Sequence, residues 1–136
     1  MSLPYTFVPF TTIYSAQVNA NNAYLAIYDI AMGYAGVPPT SSTLFTFNVV
    51  RTFTLPAGLS GSIFSFGSQP TGSTTLTIQQ NGATIGTVTW GSGATYGTAS
   101  FSSLITFNPG DSLTILTPSN VNNASNLAIT LSGSRA

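Results

Sequence analysis

With 136 residues, the chain has the length of one ordinary domain and enough material to bury a core. Only 3% of its residues are charged, its formal net charge is zero, and its two basic residues are Arg51 and Arg135, so it cannot neutralise a run of phosphates and nucleic acid is excluded as a partner. At 43% hydrophobic content, such a neutral surface is expected to be covered in an assembly.

The first thirty residues carry one acid, Asp29, and no base. A secretory signal needs a basic start and an unbroken apolar core, whereas no Lys or Arg precedes Arg51 and prolines interrupt the stretch at 4 and 9; no signal peptide is expected. No run of about eighteen apolar residues exists, so no membrane-spanning helix is expected. Residues 1–12, with two prolines and alternating apolar and small polar residues, read as an extended arm. From Ile13, apolar residues recur at spacings of three and four through Ala16, Ala20, Tyr24, Ile27 and Ala31, with Ser15 as a candidate N-cap and Gly33 as a stop. This pattern predicts one helix of about five turns. A second stripe, Tyr14, Val18, Leu25 and Tyr28, widens its apolar face beyond what one small domain would cover, which favours copies of the chain around a symmetry axis. Residues 1–36 are thus expected to form an arm-and-helix unit for docking and trimerisation. Residues 37–43, rich in Pro, Ser and Thr, read as a linker, and 44–136 as a β-domain.

In that β-domain Phe45, Phe47, Val49, Phe53 and Leu55 alternate with polar residues and predict one long strand. Arg51 falls on its apolar side, to be turned outward by a bulge near Val50 or buried against Asp29, Asp111 or a partner. The run "TTLTIQQNGATIGTVTW" predicts a hairpin on a type I′ turn at Asn81-Gly82. A bulge at Gly86 would set Leu76 opposite Val88 and bring Trp90 to the core, with Ile78 opposite Ile85. Further strands are predicted at about 97–107, 111–117 and 126–132, the first two joined by the turn "NPGD" at 108–111. Short Thr-rich strands joined by Gly, Asn and Pro turns indicate a mainly β fold, an antiparallel β-sandwich of jelly-roll type preceded by the arm and helix.

The means for chemistry are sparse. There is no His and no Cys, so nitrogen- or sulfur-ligated metals and a nucleophile–base pair are excluded, and no catalytic residue, cofactor or metal site is expected. A glycosidase needs two carboxylates about 5–10 Å apart, but Asp29 falls on the predicted helix and Asp111 in a turn, where its expected role is to cap that turn. What remains is an uncharged hydrogen-bonding surface. Tyr96 and the loop "TPSNVNNASN" at 117–126, with Asn120, Asn122 and Asn123, are the candidate contacts for a receptor or glycan.

Two stretches carry a resemblance. "LPYTF" followed by "TTIYSAQVNANNAYL" resembles the N-termini of bacteriophage tail-fibre, head-fibre and related virion proteins, matching at Leu3 to Phe7 and Ser15 to Asn22; Ala23 stands where the pattern more often has Phe. The stretch from "RTFTLPAGLSG" through the Asn-Gly hairpin to "FNPGDSLTI" is similar to a β-domain recurrent in small phage structural proteins. The resemblance implies a trimeric virion component, made in the host cytoplasm, that docks to other virion proteins through its N-terminus and displays its β-domain. Leu3, Tyr5 and Phe7 of the arm and Ile13, Val18, Tyr24 and Ile27 of the helix are then the expected docking and oligomerisation residues. A host surface glycan is the alternative partner.

Overall fold

A computed structural model of the chain describes residues 27–135. The predicted arm and the predicted helix up to residue 26 lie outside the described residues, as do Leu3, Tyr5, Phe7, Ile13, Val18 and Tyr24.

Where the predicted helix would have ended, the chain is a strand, β1 (Ile27–Tyr34). Tyr28, Ile30, Met32 and Tyr34 turn inward while Ile27, Asp29, Ala31 and Gly33 face out, a period of two in residues that also fit spacings of three and four. Pairing decides between them: all of β1 lies antiparallel to β10 (Ser125–Arg135), from Ile27 opposite Ser134 to Tyr34 opposite Leu127. Isoleucine and tyrosine suit such a half-buried pleated surface. The β-domain therefore begins at Ile27, inside what the sequence assigned to the arm-and-helix unit.

The strands form two antiparallel sheets. One holds β1, β10, β3 (Phe53–Leu55), β8 (Ile105–Phe107) and β4 (Ile63–Ser68). The long β10 runs between β1 on one side and β4 and β3, in turn, on the other. The second sheet has the order β2 (Thr43–Asn48), β9 (Ser112–Leu116), β5 (Thr74–Gln80), β6 (Ala83–Trp90) and β7 (Thr98–Ser100). Apolar side chains from both sheets meet in one core, including Phe53, Phe66, Leu76, Ile78, Val88, Trp90, Phe107, Ile115, Ile129 and Leu131. Each such side chain stabilises the fold by about 1.5–3 kcal/mol on leaving water.

The hairpin stands where it was expected. Asn81 and Gly82 have φ of 51° and 83°, the left-handed pair of a type I′ turn. Leu76 faces Val88 and Trp90 is fully buried, with its indole N–H donating to the Thr95 carbonyl at 3.2 Å. The bulge lies one residue earlier than predicted: Ile78 pairs with Gly86, and Gln79 with Thr84, so Ile85 is the extra residue. Gly86 is kept flat because a Cβ there would stand 2.6 Å from the Phe101 ring and 2.8 Å from the Ser100 carbonyl. Two predicted long strands are each broken. The 45–55 run divides into β2 and β3, one in each sheet, and the 97–107 run into β7 and β8, likewise. In both cases the chain crosses from sheet to sheet while its apolar alternation continues, because either sheet faces the same core. At the first crossing Val49 stays buried, and Val50 and Arg51 project into solvent, which realises the outward alternative for Arg51.

β10 is held flat against both neighbours at Gly133. With no side chain there, the Tyr28 ring of β1 and the Phe53 ring of β3 stack at 4.9 Å between centroids, and Phe53 stacks on Phe107 of β8 at 4.9 Å. A Cβ on Gly133 would lie 2.7 Å from the Tyr28 carbonyl oxygen and 3.0 Å from that of Thr54. Neither backbone oxygen can yield without opening the sheet, so Gly133→Ala is expected to destabilise the domain by about 1–3 kcal/mol. Urea unfolding followed by Trp90 fluorescence measures this.

Candidate functional site

On one side the sandwich is not closed. β1 pairs only with β10, and β2 only with β9, so among the described residues each keeps one backbone edge unpaired. Between these edges lies an open cleft of about 730 Å³, lined by residues 28–33 of β1 and 44–47 of β2. Its apolar floor is half-buried: Tyr28, Met32, Leu44, Phe45 and Phe47 pack against the core without being covered by it. Phe47 meets Phe53 edge-on at 6.3 Å. Asp29 is the one ionisable carboxylate lining the cleft. A pair of free strand edges over an apolar floor is a template for another extended segment. Ile27, the expected helical docking residue, stands at the entry of β1, 46% exposed.

The ends of the sandwich differ. β1 starts and β10 finishes at the same end, since Ile27 pairs with Ser134. At the opposite end the loops 35–42, 69–73, 91–97 and 117–124 come together. Their contacts are specific: Thr71 N–H donates to the Asn122 carbonyl at 2.9 Å, Gly93 N–H to that of Pro70 at 2.8 Å, and Ser41 N–H to that of Pro118 at 2.8 Å. The candidate receptor contacts Tyr96, Asn120, Asn122 and Asn123 all fall at this end. Tyr96 is 68% exposed. Asn122 is engaged within the domain: its side-chain amide donates to the Ser73 carbonyl at 3.1 Å and to Thr74 Oγ1 at 3.0 Å, while Asn120 Oδ1 accepts the Asn122 N–H at 2.8 Å. These two asparagines shape the loops, which leaves Tyr96 and the exposed Asn123 as the residues free to meet a partner.

Asp111 does what its turn position suggested. One carboxylate oxygen accepts the Asn108 N–H at 2.8 Å across the "NPGD" turn and the Gln80 amide at 3.3 Å; the other accepts from the Asn81 amide at 3.0 Å. The carboxylate thus clamps this turn to the tip of the β5–β6 hairpin. These donors, the Asn108 backbone first and Asn81 next, hold its pKa below the ordinary aspartate value. Donors rather than spare oxygens surround it, an arrangement that suits an anion and not a cation. Among the described residues no group of three or more His, Cys, Asp or Glu could hold a metal, and no helix is long and apolar enough to cross a membrane.

Sequence reasoning missed the cleft. Its signal was present in Tyr28, Met32, Phe45 and Phe47, apolar residues in excess of one closed core, but assigning Tyr28 to a helix hid that two sheet edges meet there.

Because the folded pKa of Asp111 is depressed, the stability it contributes is complete above about pH 3.9 and is lost as pH falls through the lower folded value. The urea midpoint should therefore drop on acidification below about pH 4, and the drop should be smaller in Asp111→Asn. Asn122→Ala should cost about 1–2 kcal/mol through the released loop contacts, whereas Tyr96→Ala should stay within about 0.5 kcal/mol of the parent in the same titration.

Comparison with protein-family models finds no match to this chain, and comparison with curated proteins finds none either.

Proposed function

We propose that this chain is a small homotrimeric structural protein of a bacteriophage particle, a fibre or decoration on head or tail that docks through its N-terminal segment and displays its β-sandwich. The observation that carries this reading is polarity. The chain enters the sandwich at one end, along the free edge of β1, and the loops with Tyr96 and Asn123 stand at the other. A molecule that is anchored by one end and presented by the other needs this layout. The apolar segment before Ile27 and the scarcity of charge support an anchor covered by other protein. The resemblance of Leu3 to Phe7 and Ser15 to Asn22 to virion-protein N-termini points the same way.

The nested pairings of β1 with β10 and β2 with β9 support a chain wrapped as a jelly roll; such a fold serves many functions, so it favours the reading without carrying it. The same scarcity of titratable groups that argues against catalysis suits a structural role, with no cofactor. A second reading, a receptor- or glycan-binding module for attachment to the host, is favoured by one observation: Tyr96 is exposed amid uncharged polar loops at the displayed end.

Mass spectrometry of purified particles is expected to find the chain, and light scattering of the isolated protein to give three times the chain mass at all concentrations tried. A chain absent from intact particles overturns the proposal. Under the second reading, Tyr96→Ala abolishes binding to host surface polysaccharide while leaving particle incorporation unchanged.

A further inference from the structure

We infer that the cleft between β1 and β2 receives the N-terminal arm of a second copy of this chain, with Leu3, Tyr5 and Phe7 seated on its apolar floor. This inference rests on the trimer of the proposed function and states how its copies are joined; the particle is then met by the N-terminal end of the joined trimer rather than by free arms.

The cleft specifies its occupant closely. It offers backbone donors and acceptors along two free strand edges, so the occupant is extended. Its floor of Tyr28, Met32, Leu44, Phe45 and Phe47 calls for apolar side chains at every second position. Its one charged lining residue, Asp29, stands on the outward face of β1, away from the apolar floor, so the floor itself calls for a neutral segment. Residues 3–8, "LPYTFV", have these properties: Leu3, Tyr5 and Phe7 fall on one side of an extended chain, and no residue there is charged. The prolines agree with that register. Alternate N–H groups of a strand point to the same neighbour. If Leu3, Tyr5 and Phe7 donate to a cleft edge, Pro4 belongs to the set whose donors are not needed. Pro9 belongs to the donating set and ends the pairing there.

The chain between arm and sandwich indicates whose arm it is. Residues 9–26, with 9–12 extended and 13–26 helical as the stripe requires, reach about 35 Å, which spans to a neighbouring sandwich packed about the same axis. Docking an arm in its own cleft would leave Ile13, Tyr14, Val18, Tyr24 and Leu25, the broad apolar stripe of the sequence, to be covered by the same domain after its open cleft had been filled. Exchange between copies meets both needs. The stripes face one another about an axis, each arm fills the next copy's cleft, and a head-to-tail contact of this kind closes into a ring. Three copies then have three arms in three clefts, each arm pairing with one cleft edge and covering the other.

The chain has no cysteine, so introduced thiols report without background. Full-length copies carrying Thr6→Cys alone are co-expressed with copies carrying Ala31→Cys alone, and, separately, with copies carrying Thr46→Cys alone; all three substitutions leave the apolar floor and the arm's apolar face intact. Mild oxidation is expected to link the two kinds of chain in at least one pairing, identified by peptide mass mapping. Replacing Leu3, Tyr5 and Phe7 with serine should lower the yield at least ten-fold. A doubly substituted chain that links within itself, while mixed single variants do not link, overturns the inference in favour of a chain that fills its own cleft. A trimer by light scattering with no link at either position overturns it and leaves the virion reading standing. A monomer with no link overturns both the inference and the trimer beneath it. Linked chains from a protein absent from phage particles uphold the exchange and remove the virion reading.

Discussion

The fold depends on β10 lying between two neighbours at once. Along its length it pairs with β1 on one side and with β4 and then β3 on the other, and β3 in turn holds β8. Gly133 makes this possible between β1 and β3, since a side chain there would run into the Tyr28 and Thr54 carbonyl oxygens on either side. The last strand of the chain therefore organises the first. Such long-range pairing requires loop closure before any contact forms, a cost typical of folds built on non-local strands.

One consequence is that β1 becomes an outer strand. β2 is the outer strand of the other sheet, and the short β1–β2 connection places both edges on the same side. The opposite side is closed differently: the stretch after β7 carries the buried Phe101, whose carbonyl accepts the Gly58 N–H at 2.6 Å from the turn after β3. Among the described residues the sandwich is thus sealed along one side by its own loops and open along the other. An open apolar side in a chain almost without charge is poorly protected against unplanned pairing, because charged residues are the usual means of blunting a sheet edge. Of the charged residues described, only Asp29 lies beside the cleft. A permanent protein cover is the alternative remedy, and both the proposed trimer and the arm exchange follow from it.

Much of this was legible in the sequence where local signals acted alone. Asn81-Gly82 announced its turn because both residues tolerate positive φ, and Asp111 its turn cap because a carboxylate after Gly110 can reach back to the Asn108 N–H, though not its reach to Gln80 and Asn81 of the hairpin tip. Trp90 followed the apolar register into the core. The misreadings arose where distant partners decide. Tyr28, Ile30 and Met32 suit a helix face and a strand face alike, and β10, about a hundred residues away in the chain, selects the strand. The broken strands show the same limit: alternation identifies which residues point inward, but not which of two sheets carries them. The role of Asn122 was likewise invisible, since its partners Ser73, Thr74 and Thr71 come from another turn of the chain; Asn120 bonds locally, accepting the Asn122 N–H.

The central claim is that protein covers the β1–β2 side in the assembled molecule. Residue-resolved hydrogen exchange on the full-length chain tests it most directly, read at the amides of β1 and β2 that point away from β10 and β9. The account predicts that these amides exchange as slowly as the interior amides of β5, which have strands on both sides. Exchange at the rate of unprotected backbone, with β5 still slow, would contradict it.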